Sequence, residues 1–297
     1  MSDAEVQSLW DDRVGWSKTA DRLKKTRETL RTIVLSLTVA GAALQTAAAT
    51  WPEQKLLLGG SGTVALAAVA FIGRYFLKPE NAKKWLRARS VSEGVKTEIY
   101  TFRAGAEPYA HPDAIDKLRA KLKEIYDSAK GLDLERAKTG EVSQPAPPQL
   151  DHEQYIEKRV RQQVKQYYTP KAQKYAWQAE FFNWAEIGFA ALAALLGAVA
   201  TFVGDAHSSA TQLSAWIAVL TTIAGSFAAH AAASQFEAEA TIFYATARQL
   251  KDLEAGWRSN KAQGDNAEWS KFVSSCETVI SASNQDWMAK LDQNQAG

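Results

Sequence analysis

The sequence has little that could form a catalytic or metal site. It contains one cysteine, Cys276, and four histidines among 297 residues. A single cysteine excludes an intramolecular disulfide and a CxxC pair for zinc. The histidines, His111, His152, His207 and His230, have no metal-like spacing with cysteine or carboxylates. No GxSxG or HExxH pattern occurs either. The sequence therefore predicts no catalytic residue, no cofactor, no metal and no enzyme.

The sequence also lacks a phosphate-binding loop. The glycine-rich run at residues 59–63 does not fit GxxxxGK[ST], and it lies inside an apolar stretch. Small residues let transmembrane helices approach closely, so helix packing explains this run better.

Charge of one sign is not concentrated anywhere. Charged residues make up 23% of the chain and the formal net charge is +2. A protein that binds nucleic acid needs a basic face, so no nucleic-acid partner is expected. The N-terminus has no cleavable signal, because a mostly polar segment ending in Lys24, Lys25, Arg27 and Arg31 precedes the first apolar stretch. That stretch should be retained as an anchor.

Four stretches lack charged residues altogether. They cover residues 32–52, 56–73, 187–204 and 206–236. Each apolar centre is close to the ~20 residues that cross a hydrocarbon core of ~30 Å. A soluble helix bundle is the alternative, but it would need polar helix faces that these stretches lack. We predict transmembrane spans at about 32–52, 56–77, 184–204 and 213–233.

The short connectors at residues 51–54 and 205–212 predict that the spans form two helical hairpins. Lysine and arginine are scarce at these connectors, with only Lys55 nearby, and are frequent in the flanks. The positive-inside rule then places both termini in the cytosol. The predicted location is the cell (inner) membrane, with the chain crossing it several times.

The polar remainder has helical patterns and no strand pattern. Residues 83–104 predict a helix that continues the second span. Residues 113–130 predict an amphipathic helix whose apolar stripe needs a partner, either in a second copy or in the same chain. A helix from residue 153 is expected to break or kink at Thr169–Pro170, because proline lacks the amide donor. Residues 234–256 should extend the fourth span, and a terminal helix follows. The stripe of the amphipathic helix consists of Ile115, Leu118, Leu122, Ile125 and Tyr126.

The predicted fold is an all-α integral membrane protein: four transmembrane helices in two tandem hairpins, with long cytosolic helical extensions. Residues 1–138 form the first two-helix module, and residues 151–297 form the second. Residues 139–150 include Pro145, Pro147 and Pro148 and form the linker. Because both modules enter the membrane from the same side, the repeat is parallel.

Several segments resemble one known family. They are residues 85–103 with Glu107-Pro108-Tyr109, Tyr167-Tyr168, residues 244–250, Cys276-Glu277 and residues 284–287. These segments resemble the flanks of the membrane hairpin in SLATT domains, and together they cover most of the chain as a tandem. The resemblance implies a prokaryotic effector that forms pores in conflict or abortive-infection systems. It also implies a nucleotide-signalling or sensor protein as a partner, because this chain has no such domain itself.

Polar residues inside the spans are the candidate pore lining, because hydrocarbon penalises them. Thr222, Ser226 and His230 lie along the fourth span, with Glu186 and Glu237 at its predicted cytosolic mouth. The threonine and serine hydroxyls could instead bond to the preceding helical turn. His230 could instead form an interhelical hydrogen bond. Gln45, Thr46 and Thr50 in the first span are the alternative lining.

Two functions remain open. The first is an oligomeric membrane pore or ion channel, because four helices can hardly enclose an aqueous path and a conducting form needs several copies. The second is a non-conducting scaffold in the lipid bilayer whose cytosolic helices recruit partners.

Overall fold

The computed structural model describes residues 3–127, 130, 137, 144–203, 209–259 and 265–293. Within these ranges the chain is helical and has no strand, so the all-α prediction is confirmed. The helices are α1 (Asp3–Thr50), α2 (Lys55–Tyr75), α3 (Pro79–Arg103), α4 (Ala114–Asp127), α5 (His152–Tyr155), α6 (Thr169–Val203), α7 (Ser209–Ser234), α8 (Phe236–Ser259) and α9 (Asn266–Gln293). One 3₁₀ turn, Pro52–Gln54, joins α1 to α2.

Four helical segments are long and apolar enough to cross a membrane. They contain all of the predicted span at 213–233 and most of the predicted spans at 32–52, 56–77 and 184–204. The predicted connector at residues 205–212 begins outside the described residues. The same holds for residues 139–143 of the predicted linker. Its remaining residues, 144–150, have no regular secondary structure.

The second span does not continue directly into the following helix. The chain leaves helical structure at residues 76–78, and α3 begins at Pro79. Proline favours the first position of a helix and disfavours helical structure at the residue before it. The prediction of one continuous helix is therefore wrong at Lys78–Pro79.

The helix that begins near residue 152 passes through Thr169–Pro170 without ending. Two π-helical segments, Ile156–Arg161 and Val164–Tyr168, come before the proline. In the second of them the Thr169 amide donates to the carbonyl of Val164. These two π-helical segments lie just ahead of Pro170, whose missing amide would interrupt an α-helix. The predicted break does not occur, and the kink predicted as its alternative stays a prediction.

A second interruption separates α7 from α8. Gln235 has φ of +53°, a left-handed conformation that is uncommon outside glycine. Its amide donates to the carbonyls of Ala231, at 2.9 Å, and Ala232, at 3.3 Å. The predicted extension of the fourth span thus starts as a new helix at Phe236.

The chain divides into two compact units. The membrane unit contains Thr26–Lys78 and Lys174–Glu239, and the polar unit contains Met1–Lys25, Pro79–Gln173 and Ala240–Gly297. Each unit therefore draws on both halves of the sequence. The division into modules at residues 1–138 and 151–297 stays a prediction.

The core of the polar unit is built where α1, α3 and α4 meet. Val91, Val95 and Ile99 of α3 lie in one buried cluster with Leu118 and Leu122 of α4. Ile125 and Tyr126 of the α4 stripe are partly buried against the same cluster. The stripe on α4 therefore has its partner within the chain, and it no longer argues for a second copy.

The membrane unit leaves its large apolar side chains uncovered. Leu56 is 92% exposed and Phe202 is 89% exposed, and Leu195 and Val64 are exposed too. In the apolar window of the third candidate span only 6% of residues are buried. Soluble proteins rarely expose apolar surface on this scale, whereas lipid-facing helices do. The chain is a membrane protein.

Close packing occurs between α1 and α2. A Cβ atom placed on Gly62 would lie 3.1 Å from the carbonyl oxygen of Gly41 and 3.2 Å from the backbone nitrogen of Gln45. A side chain at Gly62 would require α1 to shift by a few tenths of an ångström, so this glycine allows the close approach of the two helices. Between α6 and α7, Phe189 packs on Phe227, and Gly197 faces Ile217.

Candidate functional site

The predicted lining of the pore is placed along α7. Thr222 is exposed, and Ser226 and His230 are half-buried. Thr222 donates a hydrogen bond of 2.8 Å to the carbonyl of Ala218, and Ser226 donates one of 2.7 Å to the carbonyl of Thr222. Both hydroxyls therefore satisfy their protons within the helix, and their oxygen lone pairs remain available as acceptors.

His230 makes its contacts inside the membrane unit. Its ring lies 4.8 Å from that of Phe182 and 6.0 Å from that of Phe236. It also forms a hydrogen bond with the backbone of Arg31 in α1. These contacts fit the interhelical hydrogen bond that the sequence left open. A water-filled path beside His230 stays a prediction.

The acidic residues near the mouth of α7 differ in exposure. Glu186 is half-buried, Glu237 is exposed and Glu239 is buried. Because α8 starts anew at Phe236, Glu237 and Glu239 stand in its first turn. Carboxylates are stabilising there, since the N-terminus of a helix carries partial positive charge. Glu237 therefore has a structural role that the sequence did not indicate.

The alternative lining in α1 is occupied with hydrogen bonds inside the membrane unit. The Gln45 amide donates to the carbonyl of Gly59, at 3.1 Å, and to the hydroxyl of Thr63, at 2.9 Å. Thr50 donates to the carbonyl of Thr46. Gln45 thus joins α1 to α2.

Sequence reasoning missed a buried cluster of charges in the polar unit. Arg159 donates from Nε to Oε1 of Glu277, at 2.8 Å, and from Nη2 to Oε2, at 2.6 Å. Tyr155 donates to Oε1 of the same carboxylate and Thr97 donates to Oε2. The guanidinium of Arg159 also lies 4.6 Å from the centre of the Tyr100 ring. A buried ion pair needs such additional partners to offset its desolvation.

A second ion pair borders this cluster. Arg89 contacts Glu93 at 3.0 Å and donates to the hydroxyl of Tyr167 at 2.7 Å. Burial alone would raise the pKa of Glu93, but the positive charges of Arg89, Lys96 and Arg159 lower it to about 2. Desolvation lowers the pKa of Lys96 to about 8, although Glu93 opposes this.

The charged cluster joins the two halves of the sequence. Arg13, Arg89 and Lys96 come from the first half, and Arg159 and Glu277 come from the second. One sequence signal could have suggested it: Arg159 and Glu277 stand between residues that are buried and apolar, such as Val160 and Cys276. Charges at such positions need a partner.

Aromatic side chains gather at the start of α9. The His152 ring stacks on Trp269 at 4.0 Å, and Trp257 stacks on Phe272 at 5.2 Å. Beside them an open groove of about 710 Å³ lies between α8 and α9, with Asp252, Gly256 and Lys271 among its lining residues. Among the described residues no cluster of histidine, cysteine and carboxylate side chains could hold a metal ion.

Comparison with known proteins gives one family match in each half of the sequence. Residues 155–287 match the family model described as SMODS and SLOG-associating 2TM effector domain 1, abbreviated SLATT_1. Residues 14–117 match the model described as Protein of unknown function (DUF4231). No curated protein and no solved structure matches the chain. The resemblance expected for the second half is confirmed.

Proposed function

We propose that this chain, which belongs to the SLATT-domain proteins, is a membrane effector that conducts ions as an assembly of several copies. The matched family is described as an effector domain with two transmembrane helices. By analogy with that description, the role is an effector of a prokaryotic conflict system. Its proposed partner is a nucleotide-signalling or sensor protein, because the description names SMODS and SLOG as associates.

One observation carries the proposal. The outward faces of the membrane helices are apolar, yet α7 also presents Thr221 and Thr222 at exposed positions. Each hydroxyl donates to its own helix, so its oxygen can still accept a hydrogen bond from water. Ser61 and Thr63 of α2 are exposed in the same way, but the Thr63 hydroxyl already accepts from Gln45. When copies assemble with α7 inward, these oxygens would line a path. Lipid would cover the apolar faces.

Glu186 and Glu237 supply the proposed selectivity. Repeated in each copy at the cytosolic mouth, they form an acidic ring that attracts cations and repels anions. Ser226 and His230 continue the lining inward from that ring.

Ion flux tests this function. Purified protein in a planar bilayer under a KCl gradient should give a reversal potential of cation-preferring sign. Changing both Glu186→Gln and Glu237→Gln should reduce the preference. The matched control is Glu53→Gln, because Glu53 lies at the opposite end of the membrane unit. Anion preference, or an unchanged preference in the double variant, refutes the acidic ring. Absence of any flux refutes the pore.

We also propose the cell membrane as the location, with both termini in the cytosol. Arg31, Arg74 and Lys78 flank the first pair of spans on the side away from Pro52–Gln54. Single cysteines in a Cys276→Ser background should react with an impermeant maleimide in intact cells at residue 53 but not at residue 3. Labelling at residue 3 refutes the orientation.

A non-conducting scaffold is the second candidate. The open groove between α8 and α9 favours it, since that surface could hold a partner without any ion path. A protein that assembles but gives no flux in the bilayer experiment supports this candidate over the pore.

A further inference from the structure

The helices that follow the two membrane hairpins correspond to each other. Arg89 and Glu93 in α3 have the same spacing as Arg248 and Asp252 in α8. The two arginines also lie at the same sequence distance from the end of the preceding helix. Arg89 follows Tyr75, the last residue of α2, at the distance at which Arg248 follows Ser234, the last residue of α7. Both pairs form an ion contact along their helix, at 3.0 Å in α3 and 3.8 Å in α8.

In α3 this face is covered by the second half of the chain. We call it the α3 stripe, and it comprises Trp85, Arg89, Glu93, Thr97 and Tyr100. Arg89 donates to Tyr167, Thr97 donates to Glu277, and Arg159 lies over the Tyr100 ring. The helix ahead of the second hairpin, together with α9, thus packs on the α3 stripe.

Among the described residues, the corresponding face of α8 is exposed. This α8 stripe comprises Tyr244, Arg248, Asp252 and Gly256. The side chains of Arg248 and Asp252 are 85% and 73% exposed, whereas those of Arg89 and Glu93 are 18% and 13% exposed. Tyr244 is exposed where Trp85 is buried. No atom lies within 4 Å of a Cβ placed on Gly256, and the stripe borders the groove between α8 and α9.

We propose that the α8 stripe binds the first half of a second copy of this chain, as the α3 stripe binds the second half of its own. In stacked repeats each repeat contacts its neighbours, so an outer face without a neighbour is the surface that a further repeat would cover. Among the described residues no third helix of this kind covers the α8 stripe. A second copy supplies a helix of the same kind, namely the polar part of α1.

Charge complementarity favours this occupant. Arg13-Val14 in α1 corresponds to Arg159-Val160, since each arginine stands in the helix ahead of a hairpin and is buried. Tyr167 contacts Arg89. The sequence distance from Arg159 to Tyr167 equals the distance from Arg13 to Asp21. Asp21 of the second copy would therefore face Arg248. Asp21 is exposed, although its charge also acts on Arg89 of its own chain.

Binding of this kind is head-to-tail, because the α8 stripe of one copy contacts a different surface, the polar part of α1, on the next copy. Such contacts generate a ring when the rotation closes. The proposed contact between copies does not depend on whether the assembly conducts ions, so it goes beyond the proposed pore.

Oligomer mass in mild detergent and in nanodiscs tests the proposal. The wild type should assemble as concentration rises, and Arg248→Glu should shift it to the monomer with at least a tenfold weaker association. Asp21→Arg alone should do the same, and Asp21→Arg combined with Arg248→Glu should restore assembly. The matched control is Arg87→Glu, an exposed arginine of α3 outside the stripe, which should assemble as the wild type does.

Crosslinking provides the second measurement. Asp21→Cys and Arg248→Cys are placed on separate chains, each with Cys276→Ser, and mixed. A covalent dimer should form in the mixture and not with either chain alone.

A wild type that stays monomeric, an Arg248→Glu variant that assembles normally, or a double variant that fails to reassemble overturns the proposal. Assembly as expected without ion flux refutes the pore and leaves this surface standing. Flux that survives Arg248→Glu in a fully assembled protein refutes this surface and leaves the pore standing.

Discussion

Arg159 and Glu277 form a doubly hydrogen-bonded ion pair in the interior of the polar unit, with the arginine side chain 0% and the glutamate side chain 5% exposed. Thr97, from the other half of the sequence, donates to the same carboxylate. The pair therefore joins α9 and the helix ahead of α6 to α3.

Removing one partner of this pair should destabilise the protein strongly. Arg159→Ala leaves the Glu277 carboxylate buried without its counter-charge, and the expected loss is about 3–5 kcal/mol. Thermal unfolding of the purified protein in mild detergent, followed by circular dichroism, measures the change. Lys121→Ala is the control, because its contact with Glu124 is solvent-exposed and contributes about 0–1 kcal/mol. Equal effects of the two substitutions would contradict the role of the buried pair.

Lys96 should make stability rise with pH on the alkaline side. The folded protein releases the Lys96 proton near pH 8, whereas an unfolded chain keeps it up to about pH 10.4. Between these values the unfolded state binds more protons, so the free energy of unfolding increases with pH. Lys96→Met removes this increase. The measurement is the melting temperature from pH 7.5 to 10.

Cys276 makes the free energy of unfolding fall with pH, opposite to the effect of Lys96. It therefore has to be replaced in both proteins that are compared. Burial raises the pKa of its thiol, so the folded state keeps a proton that the unfolded state loses above about pH 8.5. Both proteins should therefore carry Cys276→Ser. Parallel pH profiles with and without Lys96→Met would count against the shifted pKa of Lys96.

Gly62→Val should weaken the packing of α1 on α2. A Cβ at Gly62 would press on the backbone of Gly41 and Gln45, neither of which can move independently of α1. Overpacking of this kind typically costs about 1–3 kcal/mol. Gly60→Val, on the same helix, is the control, since nothing lies within 4 Å of its added Cβ. Melting temperatures in detergent should fall only for Gly62→Val. A similar fall for both variants would point to helix propensity instead of packing.

Gln235→Gly should stabilise the protein. The residue has positive φ, which costs a residue with a side chain about 1–2 kcal/mol and costs glycine very little. Part of that gain is offset by the larger entropy of glycine in the unfolded chain, so the expected net gain is about 0.5–1 kcal/mol. Gln235→Ala keeps a Cβ and serves as the control, with no gain in melting temperature. A gain of the same size in both would exclude backbone strain as its source.

The spans and the helical class could be predicted from local composition. Charged residues are absent from each span because hydrocarbon offers them no solvation. The amphipathic helix predicted at residues 113–130 is observed as Ala114–Asp127, because its apolar stripe is a property of its own spacing. The break at Gln235 and the continuation through Pro170 escaped prediction, since local propensity is overridden by tertiary packing. The break at Lys78 was missed although it has a local cause, because Pro79 disfavours helical structure at the residue before it.

The sequence by itself determined which segments enter the membrane and which stay outside, because burial in lipid depends on side chains within one helical segment. Tertiary structure alone decided which charges meet. Arg159 finds Glu277 and Thr97 only because α3, α9 and the helix ahead of α6 approach one another. It also decided that Arg89 is covered while Arg248 is exposed, although the two arginines occupy equivalent positions in their helices. The pairing of charges depends on the neighbouring helix, whereas hydrophobicity is carried by the segment itself.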